Sequence, residues 1–124
     1  MLIKQVVARI YVNNMDKAVD FYEKLFHKKC DSRFEYQEVN LELARIDNLL
    51  IICGPNESLK PFRDTNATFL VDSIQEYREY LLKHGATIIQ DLKKVPTGFN
   101  MTMRHSDGTI IEYVEFGNVL PPRI

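Results

Sequence analysis

The chain contains the same unit twice, and this repeat constrains its fold more than any other feature. The segment RIYVNNMDKAVDFYEKL from Arg9 aligns with TFLVDSIQEYREYLLKH from Thr68 at a shift of 59 residues. Each copy is typical of an apolar strand, a polar cap and an amphipathic helix. Asp47-Asn48 before LLIIC repeats as Asp107-Gly108 before TIIEYVEF, at a shift of 60 residues. A duplicated half-domain has a pseudo-twofold axis, so we expect a ligand cleft between its halves.

Hydrophobic periodicity predicts the order βαβββ, linker, βαβββ. Asn14 is the expected N-cap of a helix from Met15 to about residue 26, and Ser73 caps a second helix that runs to about residue 84 and ends at Gly85. The expected strands cover residues 5–12, 29–35, 37–46, 48–54, 66–71, 86–91, 98–105 and 109–116. Within the third, Val39, Leu41 and Leu43 should share one face.

The order of elements predicts a single domain over residues 1–124. Module one covers about 5–54, a polar linker 55–65, module two about 66–116 and an irregular tail 117–124. The fold class is therefore α+β, with mixed curved sheets that form a cleft.

Composition excludes several classes of function. The net charge is -1, and no stretch concentrates Lys and Arg. Nucleic-acid binding, which needs several phosphate-neutralising side chains on one face, is therefore not expected. The N-terminus reaches its charges too early for a signal peptide, and no apolar run approaches a membrane span, so we expect a cytoplasmic protein without membrane contact. Cys30 and Cys53 lie in apolar strand patterns and are read as reduced thiols.

Two segments resemble a known family. YVNNMDKAVDFYEKLF is similar to the strand–helix opening of the vicinal oxygen chelate superfamily, and HSDGTIIEYVEF is similar to its closing Asp-Gly–x–x–x–Glu segment. This superfamily includes glyoxalase I, extradiol dioxygenases and bleomycin-resistance proteins. The resemblance covers nearly the whole chain and implies two tandem βαβββ modules. It also implies a homodimer, for which the aromatic-rich helix faces could supply interface area.

The resemblance implies four metal-ligand positions, which usually hold His and Glu. Here they hold Val7, Ile52, Asn66 and Glu112. Val and Ile have no donor atom, and an Asn carbonyl is a weak ligand, whereas a first-row metal needs about three protein ligands. Neither a neighbour of Val7 nor a neighbour of Asn66 restores a ligand. We therefore expect no metal and no other cofactor.

Strand alternation then predicts which side chains line the cleft. Arg9 and Tyr11 lie on the face of their strand that is turned away from the helix, and so do Asn66 and Glu112. A two-residue hairpin at Asp107-Gly108 would place Met103 opposite Glu112. The candidate ligand-binding residues are Glu112, Arg9, Tyr11, Asn66 and Met103. An alternative reading is that Glu112 pairs with Arg9 or reaches water and has no functional role.

The three histidines carry weaker signals. His27 and His84 fall in the last turns of the predicted helices, where a cation suits the helix dipole. His105 lies too far along its hairpin to join Glu112 in chelating a metal. No nucleophile–His arrangement, phosphate loop or Cys-x-x-Cys motif occurs, so no catalytic residue is assigned.

These observations favour a metal-free small-molecule-binding protein, similar to bleomycin-resistance proteins, over an enzyme. The alternative is a divalent-metal-dependent lyase, isomerase or dioxygenase of the same superfamily. A small-molecule sensing module is a third reading that the sequence does not separate from the first. The expected partners are a small-molecule ligand and a second copy of the chain.

Overall fold

A computed structural model describes residues 1–95 and 97–117 of the chain. The predicted order of elements is confirmed, with one addition in the linker. The helices are α1 (Met15–Phe26), α2 (Asn56–Leu59) and α3 (Ile74–Lys83). The strands are β1 (Ile3–Val12), β2 (Ser32–Tyr36), β3 (Leu41–Ile46), β4 (Leu49–Cys53), β5 (Ala67–Val71), β6 (Thr87–Val95), β7 (Gly98–Arg104) and β8 (Ile110–Phe116). The fold class is α+β, as expected from the repeat.

One local prediction is corrected, and one element was not predicted. The strand expected over 37–46 begins only at Leu41, because Gln37–Val39 form a 3-10 turn that ends at Asn40 in the left-handed conformation (φ 54°). Val39 therefore does not continue the alternation of Leu41 and Leu43. The linker 55–65 also contains a short helix that was not predicted, α2, and the turns that follow it. The predicted irregular tail lies outside the described residues beyond residue 117.

The ends of α1 and α3 follow the capping rules in three cases of four. Asn14 accepts a hydrogen bond from the backbone N–H of Lys17 (3.1 Å), as an N-cap should. The helix α1 ends at His27 in the left-handed conformation, and Gly85 (φ 88°) follows α3 as predicted. Ser73 makes no side-chain capping bond. The carboxylate of Glu115 takes its place and accepts from the N–H of Ile74 (2.8 Å).

The chain forms two compact units. The first unit contains residues 1–7 and the described residues from 65 onward, and the second contains residues 8–64. Strand β1 contributes to both. The strand order is β1-β5-β8-β7-β6 in the first unit and β2-β3-β4-β1 in the second. In each unit the module's first strand pairs in parallel with its last strand, β5 with β8 and β1 with β4.

Each unit has its own hydrophobic core between its sheet and its helix. In the first unit the core is built around α3 by Val71, Ile74, Tyr77, Ala86, Met101, Met103, Ile111 and Tyr113. In the second unit it is built around α1 by Met15, Ala18, Ala44, Ile46, Leu49, Ile51 and Cys53. The residues that alternate with these on the strands lie on the opposite face of each sheet. That face carries Glu112 in the first unit and Arg9 and Tyr11 in the second, whereas the candidate Met103 lies in the core.

Among the described residues, no helix has the length and apolar character that crossing a bilayer requires.

Candidate functional site

Glu112 lies on β8 in the first unit, on the face turned away from α3. Its neighbours Ile111 and Tyr113 point into the core, and strand alternation places Glu112 on the other side. The carboxylate is half-buried and accepts a hydrogen bond from the hydroxyl of Thr68 on β5 (2.9 Å). Thr68 is only 4% exposed. The two residues are register partners in the parallel β5–β8 pair, so the sheet itself holds this contact.

A row of polar side chains crosses four strands at this position. Thr68 is opposite Glu112, Glu112 is opposite Thr102 on β7, and Thr102 is opposite Gln90 on β6. Directly opposed residues lie on the same face of a sheet. We call these four residues the polar row. Thr68 is buried and the other three are half-buried, so the row is a strip of hydrogen-bonding groups with restricted access to water.

The prediction that Met103 lies opposite Glu112 is wrong by one residue. Met103 pairs with Ile111, is fully buried and packs in the core beside α3. The cause is the turn. His105 donates its backbone N–H to Thr109 (2.8 Å), so three residues, not two, connect the strands. Gly108 adopts φ 91°, which supplies the left-handed position of a three-residue hairpin loop. This extra residue replaces an apolar neighbour of Glu112 with Thr102.

Asn66 connects the beginnings of β5 and β8. Its side-chain oxygen accepts from the N–H of Ile110 (3.0 Å), and its own N–H donates to the carbonyl of Ile110 (2.8 Å). The amide oxygen that sequence reasoning considered as a metal ligand therefore has a structural hydrogen bond. The NH₂ group of the same exposed side chain keeps donor capacity for a ligand.

Arg9 and Tyr11 lie together in the second unit, on β1. Arg9 donates its Nε–H to the Tyr11 hydroxyl (2.9 Å), and that hydroxyl donates to the carbonyl of Phe62. The guanidinium carbon of Arg9 lies 5.6 Å from the centre of the Tyr11 ring. Arg63, which sequence reasoning missed, lies 5.8 Å from the same ring. Both distances are within the range of cation–π contact. The sequence did not point to Arg63, because the pattern of residues 55–65 indicates only a polar linker.

Two of the four positions implied for metal ligands hold side chains without a donor atom, and the other two hold side chains that are hydrogen-bonded in the structure. In the first unit Val7 is 2% exposed and has no donor, while Asn66 and Glu112 are engaged as described. In the second unit Ile52 is 2% exposed and also has no donor. Over residues 1–95 and 97–117 the structure contains no group of three or more His, Cys, Asp or Glu arranged to hold a metal ion.

The two histidines His105 and His84 have hydrogen-bonding partners in the structure. A ring nitrogen of His105 lies 2.7 Å from the Tyr113 hydroxyl, which sequence reasoning did not foresee. Burial, with a smaller contribution from Tyr77, raises the pKa of Tyr113 to about 12. The Nδ1 of His84 lies 2.7 Å from the carbonyl of Tyr80. Burial is also the main cause that raises the pKa of the free thiol of Cys53, which does not suit a nucleophile.

Comparison with known proteins shows a family and solved structures to which this chain is similar. The model of the Glyoxalase/Bleomycin resistance protein/Dioxygenase superfamily matches residues 3–113. A solved structure of a hypothetical protein from Methanosarcina mazei is 49% identical, with 96% of this chain and 97% of that chain covered and a TM-score of 0.91. Methylmalonyl-CoA epimerase from Mycobacterium tuberculosis is 13% identical over 96% of this chain and 92% of that chain, with a TM-score of 0.74. The latter likeness concerns the fold alone. No curated protein matches the chain.

Proposed function

The chain belongs to the glyoxalase/bleomycin resistance protein/dioxygenase superfamily, and from that premise we propose that it binds a small molecule on the sheet face that carries Glu112, without a metal ion. The ligand class is a small, partly apolar compound with a cationic or hydrogen-bond-donating group. The proposed contacts are Glu112, Thr102 and Gln90.

The polar row is the observation that supports this proposal. A half-buried carboxylate loses hydration, and it is stabilised when a donor or a cation replaces the lost water. The hydroxyl of Thr68 supplies one donor at 2.9 Å. A carboxylate has about four lone-pair directions, and in this proposal a donor or cation of the ligand binds Glu112 in addition to its protein partners. Thr102, with a hydroxyl that both donates and accepts, adds a second polar contact at the neighbouring position of the row.

In the second unit, Arg9 and Tyr11 are proposed as contacts for a ligand of that unit, and variants of that unit alone test them. Arg9 donates its Nε–H to the Tyr11 hydroxyl, and its guanidinium carries a positive charge. Its charge decides the preferred ligand. If Arg9→Gln strengthens binding of a cation, the guanidinium opposes the ligand charge. If it weakens binding of a neutral aromatic compound, the guanidinium contacts the ligand.

Metal independence is supported by the chemistry of the donor groups. Val7 and Ile52 offer no lone pair, and the amide oxygen of Asn66 accepts from Ile110. Glu112 therefore acts in this proposal through hydrogen bonds and charge, and not as a metal ligand. The competing function, a divalent-metal-dependent lyase, isomerase or dioxygenase, requires a donor set that these side chains do not supply.

The proposal is tested with a thermal-shift screen of small cations, amines and aromatic donors, followed by calorimetric titration of each compound that raises the melting temperature. Glu112→Gln keeps the shape and removes the charge, so it should weaken a cationic ligand by about 1.5–3 kcal/mol, the scale of a charged hydrogen bond. Thr102→Val should weaken the same ligand by about 0.5–1.5 kcal/mol, the scale of a neutral one.

Two matched variants control this experiment. Glu38→Gln removes the same charge from an exposed side chain outside the row, and Met103→Leu changes the core neighbour of Thr102 without touching the row. Both should bind the ligand as the wild type does. Unchanged affinity in Glu112→Gln and Thr102→Val, for every compound that binds the wild type, would refute the proposal.

A further inference from the structure

Two carboxamide side chains lie in contact at the end of the polar row. Gln90, the last member of the row, donates a side-chain N–H to the side-chain oxygen of Asn100 on β7 (3.3 Å). Asn100 precedes Thr102 by two positions on β7, so both lie on the sheet face that carries Glu112. Both carboxamide residues are half-buried. We call Gln90 and Asn100 the amide pair.

An irregularity of β6 brings Gln90 to this position. Ile88 is opposite Met103, and in a regular antiparallel ladder the next residue, Ile89, would then be opposite Thr102. The register shifts by one residue instead, and Gln90 is opposite Thr102. A second shift follows on the other side of Gln90. Bulges and similar irregularities change the direction of side chains and are frequent next to binding sites. Here the shift replaces an apolar side chain by a carboxamide.

The amide pair has unused hydrogen-bonding groups. A carboxamide has one carbonyl acceptor and two N–H donors, and the contact between the two side chains uses one donor and one acceptor. Among residues 1–95 and 97–117, neither side chain makes a further hydrogen bond. The carbonyl of Gln90 and the NH₂ group of Asn100 therefore offer an acceptor and a donor on neighbouring side chains.

Building on the proposed function, we propose that the amide pair binds a carboxamide or lactam group of the ligand whose cationic or donating group contacts Glu112. A carboxamide and a lactam each carry an N–H donor next to a carbonyl acceptor. The ligand N–H would donate to the carbonyl of Gln90, and the ligand carbonyl would accept from the NH₂ group of Asn100. This recognition adds a second polar group to the ligand and fixes its direction on the sheet.

The sheet sets the separation of the two ligand groups. Glu112 is opposite Thr102, so Asn100 is its diagonal neighbour on β7, and diagonal neighbours are about 7–8 Å apart. Val114 is opposite Asn100, and Leu70 is opposite Val114, so two apolar side chains continue the row of Asn100 on the same face. A ligand with an apolar ring between its amine and its carboxamide therefore fits this face.

The same groups disfavour a carboxylate in place of the carboxamide. A carboxylate has no N–H, so its oxygens would meet the carbonyl of Gln90, and Glu112 has the same charge. Unpaired and like-charged contacts of this kind provide specificity against a competing ligand. Lys93, which is exposed and opposite Asn100, is the cation that would bind a carboxylate if this reasoning were wrong. The test therefore includes it.

Three probes that share one benzylamine body test the inference by calorimetric titration: 4-(aminomethyl)benzamide, methyl 4-(aminomethyl)benzoate and 4-(aminomethyl)benzoate. The benzamide should bind about fivefold more tightly than the methyl ester, because the ester lacks the N–H and loses one neutral hydrogen bond. The benzoate should bind most weakly. The double variant Gln90→Met with Asn100→Leu removes both carboxamides together, so no partner is left unsatisfied. It should bind the benzamide and the ester equally, with the ester affinity of the wild type, which also shows that it is folded.

The control is Gln75→Met, which removes an exposed carboxamide of α3 and should keep the preference for the benzamide. The inference is overturned if the wild type binds the benzamide and the ester equally or binds neither, or if the double variant keeps the preference. It is also overturned if the benzoate binds most tightly and Lys93→Gln abolishes that binding.

Glu112→Gln separates this outcome from the proposed function. Equal binding of the benzamide and the ester by the wild type, with both weakened in Glu112→Gln, would refute the role of the amide pair and leave the carboxylate contact in place. Unchanged affinity of Glu112→Gln for both probes would count against the proposed function, whichever probe is preferred.

Discussion

Gly98 begins the strand that carries Thr102 beside Glu112, and its replacement by alanine should be strongly destabilising. Gly98 begins β7 opposite Phe116 of β8 and adopts φ 145°, a conformation that L side chains rarely adopt. A Cβ atom there would lie 2.1 Å from the carbonyl oxygen of Glu115 and 2.6 Å from the backbone nitrogen of Gly117. Both are backbone atoms, so relief requires the strand end to move.

Two effects contribute to the loss of stability in Gly98→Ala, backbone strain and steric overlap. Backbone strain at positive φ is about 1–2 kcal/mol, and forcing atoms into a filled space adds about 1–3 kcal/mol. Gly98→Ala should therefore lower the free energy of unfolding by about 2–5 kcal/mol, measured by urea denaturation with circular dichroism. Gly108→Ala is the matched control, because Gly108 also has positive φ (91°) but a Cβ there would meet nothing within 4 Å. It should cost only the strain term, about 1–2 kcal/mol. Equal losses in the two variants would refute the reasoning from close approach.

Three further predictions concern the elements that support the site. Asn14→Ala should destabilise the protein by about 1 kcal/mol through loss of the N-cap, whereas Ser73→Ala should cost clearly less, since Glu115 supplies that cap; urea titrations of both variants compare them. The raised pKa of Tyr113, about 12, means that its contribution is complete below its ordinary pKa near 10 and is lost as the pH rises toward 12. Tyr113→Phe should flatten that alkaline decline in denaturation curves measured across this window. The guanidinium of Arg78 lowers the pKa of Asp91, so their two-bond contact (2.7 and 3.0 Å) should stabilise the fold above pH 4 and weaken as the pH falls below it. Asp91→Asn should remove that acid dependence in melting temperatures recorded from pH 3 to pH 7.

The elements were predictable where local chemistry acts alone. The helix α1 begins at Met15 as expected, because Asn14 provides the cap and the apolar positions recur at helical spacing. Alternation also assigned the faces correctly, since Ile111 and Tyr113 are in the core and Glu112 is not. These features depend only on periodicity and on the residue types near each element.

The site was harder to predict because it depends on register. One glycine in the left-handed conformation changed the hairpin loop from two residues to three, and every cross-strand neighbour of β8 on β7 changed with it. The predicted lining therefore included Met103 opposite Glu112, where the structure has Thr102. The capping of α3 by Glu115 was missed for a related reason, because it joins residues 41 positions apart. Sequence patterns of single elements carry no information on such contacts.

Metal analysis combined with ligand titration tests the central claim most directly. The purified protein is examined by elemental analysis, and the affinity of the best ligand from the screen is measured before and after treatment with a chelator. Because the four candidate positions hold Val7, Ile52, Asn66 and Glu112, we expect no stoichiometric Zn, Ni, Fe or Mn and the same affinity and melting temperature in both samples. One equivalent of a transition metal, lost together with ligand binding in Glu112→Ala, would contradict the account and place the chain among the metal-dependent enzymes of its superfamily.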